Sequence, residues 1–240
     1  MKIAVVSDIH GNLLALEAVV RDFASQGVGA VVNLGDSVSG PLMPLETAQY
    51  LMAQNWHHLA GNHERQLLNM TDKSGASDKF AHARLGVAEL NWLATLTHSH
   101  QLLPDVLLCH GTPTSDCTSL LQTAERNATR EEVEFRLAGT PASVIVCGHT
   151  HVPRAVRTAS GHFIVNPGSV GHPAYADDYP HQHVVETGSP DARYAILERR
   201  DGAWKAVLRT VVYDHVAMAA LARCNGRPDW EIALLTGYMS

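Results

Sequence analysis

Short apolar runs that end abruptly in polar clusters constrain this chain more than any other feature of it. The first, Ile3-Ala4-Val5-Val6, has no polar alternation and reads as a strand buried on both faces. It stops at Asp8, His10 and Asn12, and residues 13–23 follow as an amphipathic helix with Leu13, Leu16, Val20 and Phe23 on one stripe. Gly27 and Gly29 mark the end of that helix. Ala30-Val31-Val32-Asn33-Leu34 is then a second buried strand, stopping at Gly35-Asp36. The strand–helix–strand unit has about the length a crossover needs, so the two strands are expected to be parallel neighbours. Ligands of such sheets sit beyond the carboxyl ends of the strands, where Asp8 and His10 fall. Taken alone, the pair is also readable as a helix cap and a loop histidine.

The same punctuation recurs. Residues 45–52 are expected to be helical, residues 57–60 form a short strand stopping at Gly61-Asn62-His63-Glu64, and residues 65–70 open another helix. Residues 71–78 are polar, turn-like and expected on the surface. Residues 85–96 have helical spacing, and Val106-Leu107-Leu108-Cys109 is a buried strand stopping at His110-Gly111. Thr129-Arg130-Glu131-Glu132 resembles a capping box opening a helix that ends near Gly139. Residues 143–147 are a strand stopping at Gly148-His149-Thr150-His151.

Beyond that point the texture becomes antiparallel. Residues 155–157 and 162–165 flank a Ser160-Gly161 turn, and residues 194–198 and 204–212 flank Asp201-Gly202; both pairs read as hairpins. Asn166 opens a long loop reaching about Asp191, a helix is expected over residues 216–223, and residues 224–240 show no assignable element. Without a repeat or a linker, residues 1–240 read as a single domain. Residues 1–171 form its motif-bearing core, and residues 172–240 supply a hairpin and helix that complete a second sheet.

Composition narrows the function. With 45% hydrophobic and 18% charged residues over 240 positions, the chain has the make-up of a soluble globular protein with material for a core. A net charge of −6 and no dense Lys/Arg run argue against an obligatory nucleic-acid partner. No signal peptide and no stretch of membrane-spanning length is found, so a cytoplasmic location without membrane attachment is expected. The four cysteines lack Cys-x-x-Cys spacing, and Cys109 and Cys147 read as buried reduced thiols. Fifteen histidines signify either metal or polar surface. Of these, His57, His58, His82, His98, His100 and His162 follow no partner pattern and are treated as structural or surface residues.

Five apolar runs therefore end in Asp8-x-His10, Gly35-Asp36, Gly61-Asn62-His63-Glu64, His110-Gly111 and Gly148-His149-Thr150-His151. A Gly-Asp pair is by itself nearly always a turn, and a lone histidine after a strand is usually a satisfied polar residue. Five such clusters at strand ends in one chain point to a metal site. The set resembles the calcineurin-like metallophosphoesterase superfamily, whose pattern is D-x-H, G-D, G-N-H-[D/E], H and G-H-x-H in that order. The likeness covers residues 3–171. Within the superfamily it is nearest to the small bacterial and archaeal phosphodiesterases, through the Gly-Asp-Ser-Val-Ser-Gly-Pro stretch and through Asn-Pro-Gly-Ser-Val-Gly at residues 166–171.

The resemblance implies an α/β fold, a four-layer sandwich of two mixed sheets flanked by helices. It implies two divalent transition-metal ions, manganese foremost, with iron, zinc, nickel or cobalt as alternatives. One would be held by Asp8, His10, Asp36 and His151 and the other by Asp36, Asn62, His110 and His149, Asp36 bridging them. These donors suit such metals, and the absence of a thiolate argues against a purely structural zinc site. Hydrolysis of a phosphoester by a metal-bridging hydroxide is the implied chemistry, with His63 as general acid and Glu64 orienting or tuning it.

Ser/Thr protein phosphatases of the superfamily carry an Arg just after Gly-Asp; here Ser37-Val38-Ser39-Gly40 follows, which favours a small phosphodiester or nucleotide-like substrate. A phosphomonoesterase or Ser/Thr protein phosphatase, a diadenosine-polyphosphate hydrolase and a non-catalytic scaffold on the same fold are the alternatives. Arg154 is a candidate phosphate contact or an exposed strand-end residue, and Asn12 a substrate contact or a helix cap. Residues 172–183, with Asp177, Asp178, Tyr179, His181 and His183, would line the mouth of the site or form a solvated, mobile loop.

Overall fold

Buried runs and amphipathic stretches alternate along the chain. The computed structural model describes residues 1–178 and 181–240. The elements, in order, are β1 (Lys2–Val6), α1 (Leu13–Ala24), β2 (Ala30–Asn33), α2 (Pro44–Met52), β3 (His57–His58), α3 (Asn62–Leu68), α4 (Ala76–His82) and α5 (Val87–Ala94). Then come β4 (Ser99–Leu103), β5 (Val106–Cys109), α6 (Arg130–Arg136), β6 (Val144–Val146), β7 (Arg154–Arg157) and β8 (Phe163–Asn166). The chain finishes with β9 (Ala174–Asp177), β10 (His183–Glu186), β11 (Ala192–Arg200), β12 (Ala203–Val211), α7 (His215–Cys224) and α8 (Pro228–Thr236).

Two five-stranded mixed sheets carry the fold, one ordered β12-β11-β1-β2-β3 and the other β4-β5-β6-β8-β7. The alternating sides of β1 explain its unbroken apolar run: Ile3 and Val5 pack between the sheets, and Ala4 and Val6 pack toward α1. Between the sheets, Val32, Leu34 and Leu197 meet Leu108, Val146 and Val165 of the facing sheet. Outside the first sheet lie α1, α7 and α8, through Leu16, Met218 and Leu234. Outside the second lies α6, through Val133 on Ile145 and Ile164. Helix, sheet, sheet and helix make four layers.

The expected crossover is present, with β1 and β2 parallel and in register from Ile3 opposite Ala30 to Val6 opposite Asn33. β2 and β3 are parallel, as are β5, β6 and β8, so the polar clusters emerge at the same ends of their strands.

Three expectations are corrected. The 192–211 hairpin joins the first sheet, not the second: β11 pairs antiparallel with β1. Its residues Ala192 to Leu197 are all buried, which requires a place inside a sheet with both faces covered. For residues 172–183 the mouth-lining reading holds over the solvated loop among the described residues: His172 is buried, β9 pairs with β10, and Tyr175, Asp177, His181 and His183 line a cavity; Tyr179 lies outside the described residues. Residues 71–78 are not wholly exposed, since Asp78 sits on α4 and is buried. Residues 224–240 contain α8, opened by Pro228 in the first turn and closed by left-handed Gly237. Among the described residues, no helix is long and apolar enough to cross a membrane.

Candidate metal centre

Each polar cluster follows a strand and turns sharply. Asp8, His10, Asp36, His149 and His151 all have left-handed backbone, with φ of 55°, 52°, 53°, 70° and 59°. Such conformations cost non-glycine residues roughly 1–3 kcal/mol and persist where the surroundings impose them, often at functional sites. Gly61 approaches closely enough that a Cβ there would overlap Asp36 Oδ1 and come within 2.7 Å of His110 Cε1. The Asn166–Gly171 stretch braces the site from β8: Asn166 Nδ2 donates to Gly148 O at 2.7 Å and Ser169 Oγ to Asp8 O at 2.7 Å.

The sequence-predicted ligands converge. Ligand atoms of Asp36, His110 and His149 lie within 4.8 Å of one another, as do those of Asp8, His10 and Asp36. Asp36 belongs to both groups. His151 Nε2 lies 3.4 Å from Asp8 Oδ1 and 3.2 Å from His10 Nε2. Asn62 opens α3 beside them, and its Oδ1 is buried without a hydrogen-bond partner among the described residues.

The imidazoles are wired for cations. His10 Nδ1 bonds Ser39 O at 2.7 Å, His110 Nδ1 bonds Leu34 O at 2.8 Å, His151 Nδ1 bonds His172 O at 2.7 Å, and His149 Nε2 bonds Cys117 O at 3.2 Å. A carbonyl only accepts, so each bonded nitrogen carries a hydrogen, and in the neutral ring the other has a lone pair for a cation. Two such lone pairs meet at the 3.2 Å contact of His10 and His151. Burial and then His151 push His10 down to about 3. Without a cation, burial is outweighed by Asp36 and His110 rises to about 10, its Nε2 lying 3.2 Å from Asp36 Oδ2. Asp8 Oδ1 and Asn62 Oδ1 are buried and lack hydrogen bonds among the described residues. Such orphaned atoms are costly unless a ligand satisfies them. The donor set fits divalent transition metals. Burial opposes ionisation of Asp36, but His110 and His63 outweigh it and hold the carboxyl well below its usual range.

His63 lies at the edge of this cluster, its ring centroid 5.3 Å from that of His10. Its Nδ1 bonds Asp78 Oδ1 at 2.8 Å, and Asp78 also accepts from Ser39 Oγ at 2.6 Å. Burial disfavours the His63 cation, but Asp36 and the bond to Asp78 prevail and raise it to about 9.

Glu64, Asn12 and Arg154 each bond the protein's own backbone. Glu64 does not orient His63 by a hydrogen bond, although its charge is one of those that raise the ring; its carboxylate accepts from Asp36 N, Ser37 N and Gly61 N at 2.8, 2.7 and 2.6 Å, tying the β2 turn to the start of α3. A glutamate at the third helical position reaches back to the cap, which fixes its direction. Asn12 is a cap: Oδ1 accepts from Ala15 N, and Nδ2 donates to Gly171 O and Tyr213 Oη. Arg154 donates to Leu121 O at 2.6 Å and lines a separate groove with Val133 and Val156. Asp78 and His172 are the neighbours that sequence reasoning missed. His172 stacks on Trp230 with centroids 3.7 Å apart, and its ligand atom lies within 4.8 Å of those of His10 and His151. Neither residue sits in a recognisable motif, and Trp230 belongs to the stretch without an assigned element.

Comparison with known proteins agrees with this geometry. Residues 1–189 match the calcineurin-like phosphoesterase superfamily domain. The chain belongs to that superfamily. An uncharacterized protein of Methanocaldococcus jannaschii, MJ0912, is 24% identical over 95% of this chain and 94% of its own length. A metallophosphoesterase from Sphaerobacter thermophilus superposes with a TM-score of 0.77, at 24% identity over 98% of each chain. The hypothetical protein PH1004 from Pyrococcus horikoshii superposes with a TM-score of 0.76, at 17% identity over 100% of this chain and 99% of that one. As likenesses of fold, these last two span the whole calcineurin-like phosphoesterase chain, including the C-terminal helices beyond the matched domain.

Proposed function

We propose that this calcineurin-like phosphoesterase is a dinuclear metal-dependent phosphodiesterase, related in activity to the small bacterial and archaeal phosphodiesterases. The observation that carries the reading is the pair of ligand groups sharing Asp36. Asp8, His10, Asp36 and His151 would hold one divalent ion, and Asp36, Asn62, His110 and His149 the other, with manganese the first choice. When bound, such ions supply Lewis acidity toward a phosphoryl group and an ionised water at neutral pH.

The protein's own residues do the rest. Asp78 accepts a hydrogen bond from His63 Nδ1 and favours the protonated ring, which lines the cavity beside the cluster. His63 then delivers its proton to the departing oxygen. Glu64 acts indirectly, by fixing the backbone that carries Asp36 and Asn62. The substrate is a small phosphodiester, consistent with the lack of an arginine after Asp36.

The test is hydrolysis of bis(p-nitrophenyl) phosphate against p-nitrophenyl phosphate by manganese-loaded protein. The diester is expected to be the better substrate, and His63→Ala to lower turnover of a diester with an alkyl leaving group by roughly hundredfold, and of the p-nitrophenyl diester far less, while retaining metal. Preference for the monoester would contradict the diesterase assignment, and loss of metal from His63→Ala would contradict the role of His63.

A further inference from the structure

Two cavities open from the cluster, one of about 670 Å³ and one of about 450 Å³. Asn62, Gln66, His149, Tyr175 and Asp177 line both, so they are two arms of one cleft that meet over the proposed metal ligands. Each volume falls in the range of roughly 300–1,000 Å³ that holds a drug-sized ligand.

The arms differ in chemistry. His63 and Asp78 line only the smaller arm, with Ser77 and the indole of Trp230. The larger arm is lined by Thr118, Ser119, Gln122, Thr123 and Arg136. Arg65 and Arg126 also reach the larger arm but are paired with Asp116 and Glu132. Arg136 instead bonds the carbonyl of Gln122 at 2.9 Å. In the smaller arm Asp78 is paired with His63 and Asp229 with Arg227, while Asp177 lines both arms and Glu125 the larger.

We propose that the cleft is polarised: the substrate is an unsymmetrical diester whose leaving group occupies the smaller arm and whose retained, polar, nucleoside-sized group occupies the larger. The proposal rests on the phosphodiesterase reading and adds the direction of cleavage. Water adds its oxygen to phosphorus, and the P–O bond to the group in the smaller arm breaks. That oxygen takes the proton of His63 and leaves as an alcohol. The phosphate stays attached to the group in the larger arm as a monoester.

Two wall substitutions test the direction. Ala124 lines the larger arm and Ala76 the smaller. The substrates are the p-nitrophenyl ester of thymidine 5′-monophosphate and methyl p-nitrophenyl phosphate, which share a leaving group and differ in the retained one. Ala124→Trp is expected to lower kcat/KM for the thymidine ester about tenfold or more relative to the methyl ester, with Ala76→Trp changing that ratio less than about twofold. A ratio moved by Ala76→Trp and not by Ala124→Trp would reverse the polarity and overturn the proposal. A ratio moved by neither, in variants that bind manganese and cleave the methyl ester, would show that the larger arm does not hold the retained group. Wild-type protein that binds manganese but cleaves neither diester would overturn the underlying reading itself, an outcome distinct from both.

Discussion

Asp78 and His63 form the contact on which the proposed proton transfer depends, at 2.8 Å. Replacing Asp78 with Asn keeps the shape and removes the charge that favours the protonated ring. Esters of p-nitrophenol, whose leaving group needs little help from an acid, should lose little activity. Esters of alkyl alcohols should lose roughly hundredfold, with metal content unchanged. An equal loss on both classes would assign Asp78 a purely structural part. The proposed ligands were legible in the sequence because Asp8, His10, Asp36, Asn62, His110, His149 and His151 fall in polar clusters that end apolar runs. Asp78 was not, because it lies in a polar segment whose one buried carboxylate is chosen by tertiary contact with Ser39 and His63. Glu64 was legible as an acid near the site, but its direction depends on three backbone N–H groups brought together by folding.

Helix α8 brings Trp230 under His172, and the indole is 4% exposed. Trp230→Ala should destabilise the protein by roughly 3–5 kcal/mol, as large-to-small substitutions at buried aromatics do. Chemical denaturation measures this, and a change below about 1 kcal/mol would show that α8 packs loosely. At this scale legibility followed burial. The strands of the parallel core were readable as apolar runs, whereas β4, β9 and β10 were missed because their residues are largely exposed or polar. For α8 the apolar residues do not fall on one clear stripe, so periodicity carried no signal. The β11–β12 hairpin was readable, but its pairing with β1 was not, because pairing between distant strands depends on the packing of both faces.

Across the whole molecule, the first sheet is fastened to α1 by Asp22, which accepts from Tyr194 Oη and from Arg209 Nε and Nη2, the latter two at 2.8 and 3.1 Å. The bond from Arg209 is the main cause that holds the Asp22 carboxyl below its usual range. A depressed folded-state pKa contributes stability above the unfolded value, and that contribution fades as pH falls through the folded one. Asp22→Asn should therefore be less stable than wild type near neutrality, with the difference shrinking below about pH 4. Denaturation at several pH values would show it, and a difference independent of pH would contradict it. The most direct test of the central claim is metal content by elemental analysis after loading with manganese. Two ions per wild-type chain, with Asp36→Asn losing both ions and diester hydrolysis together, is the predicted result. A folded wild-type chain that binds no manganese, or an Asp36→Asn variant that keeps two ions and full activity, would contradict it.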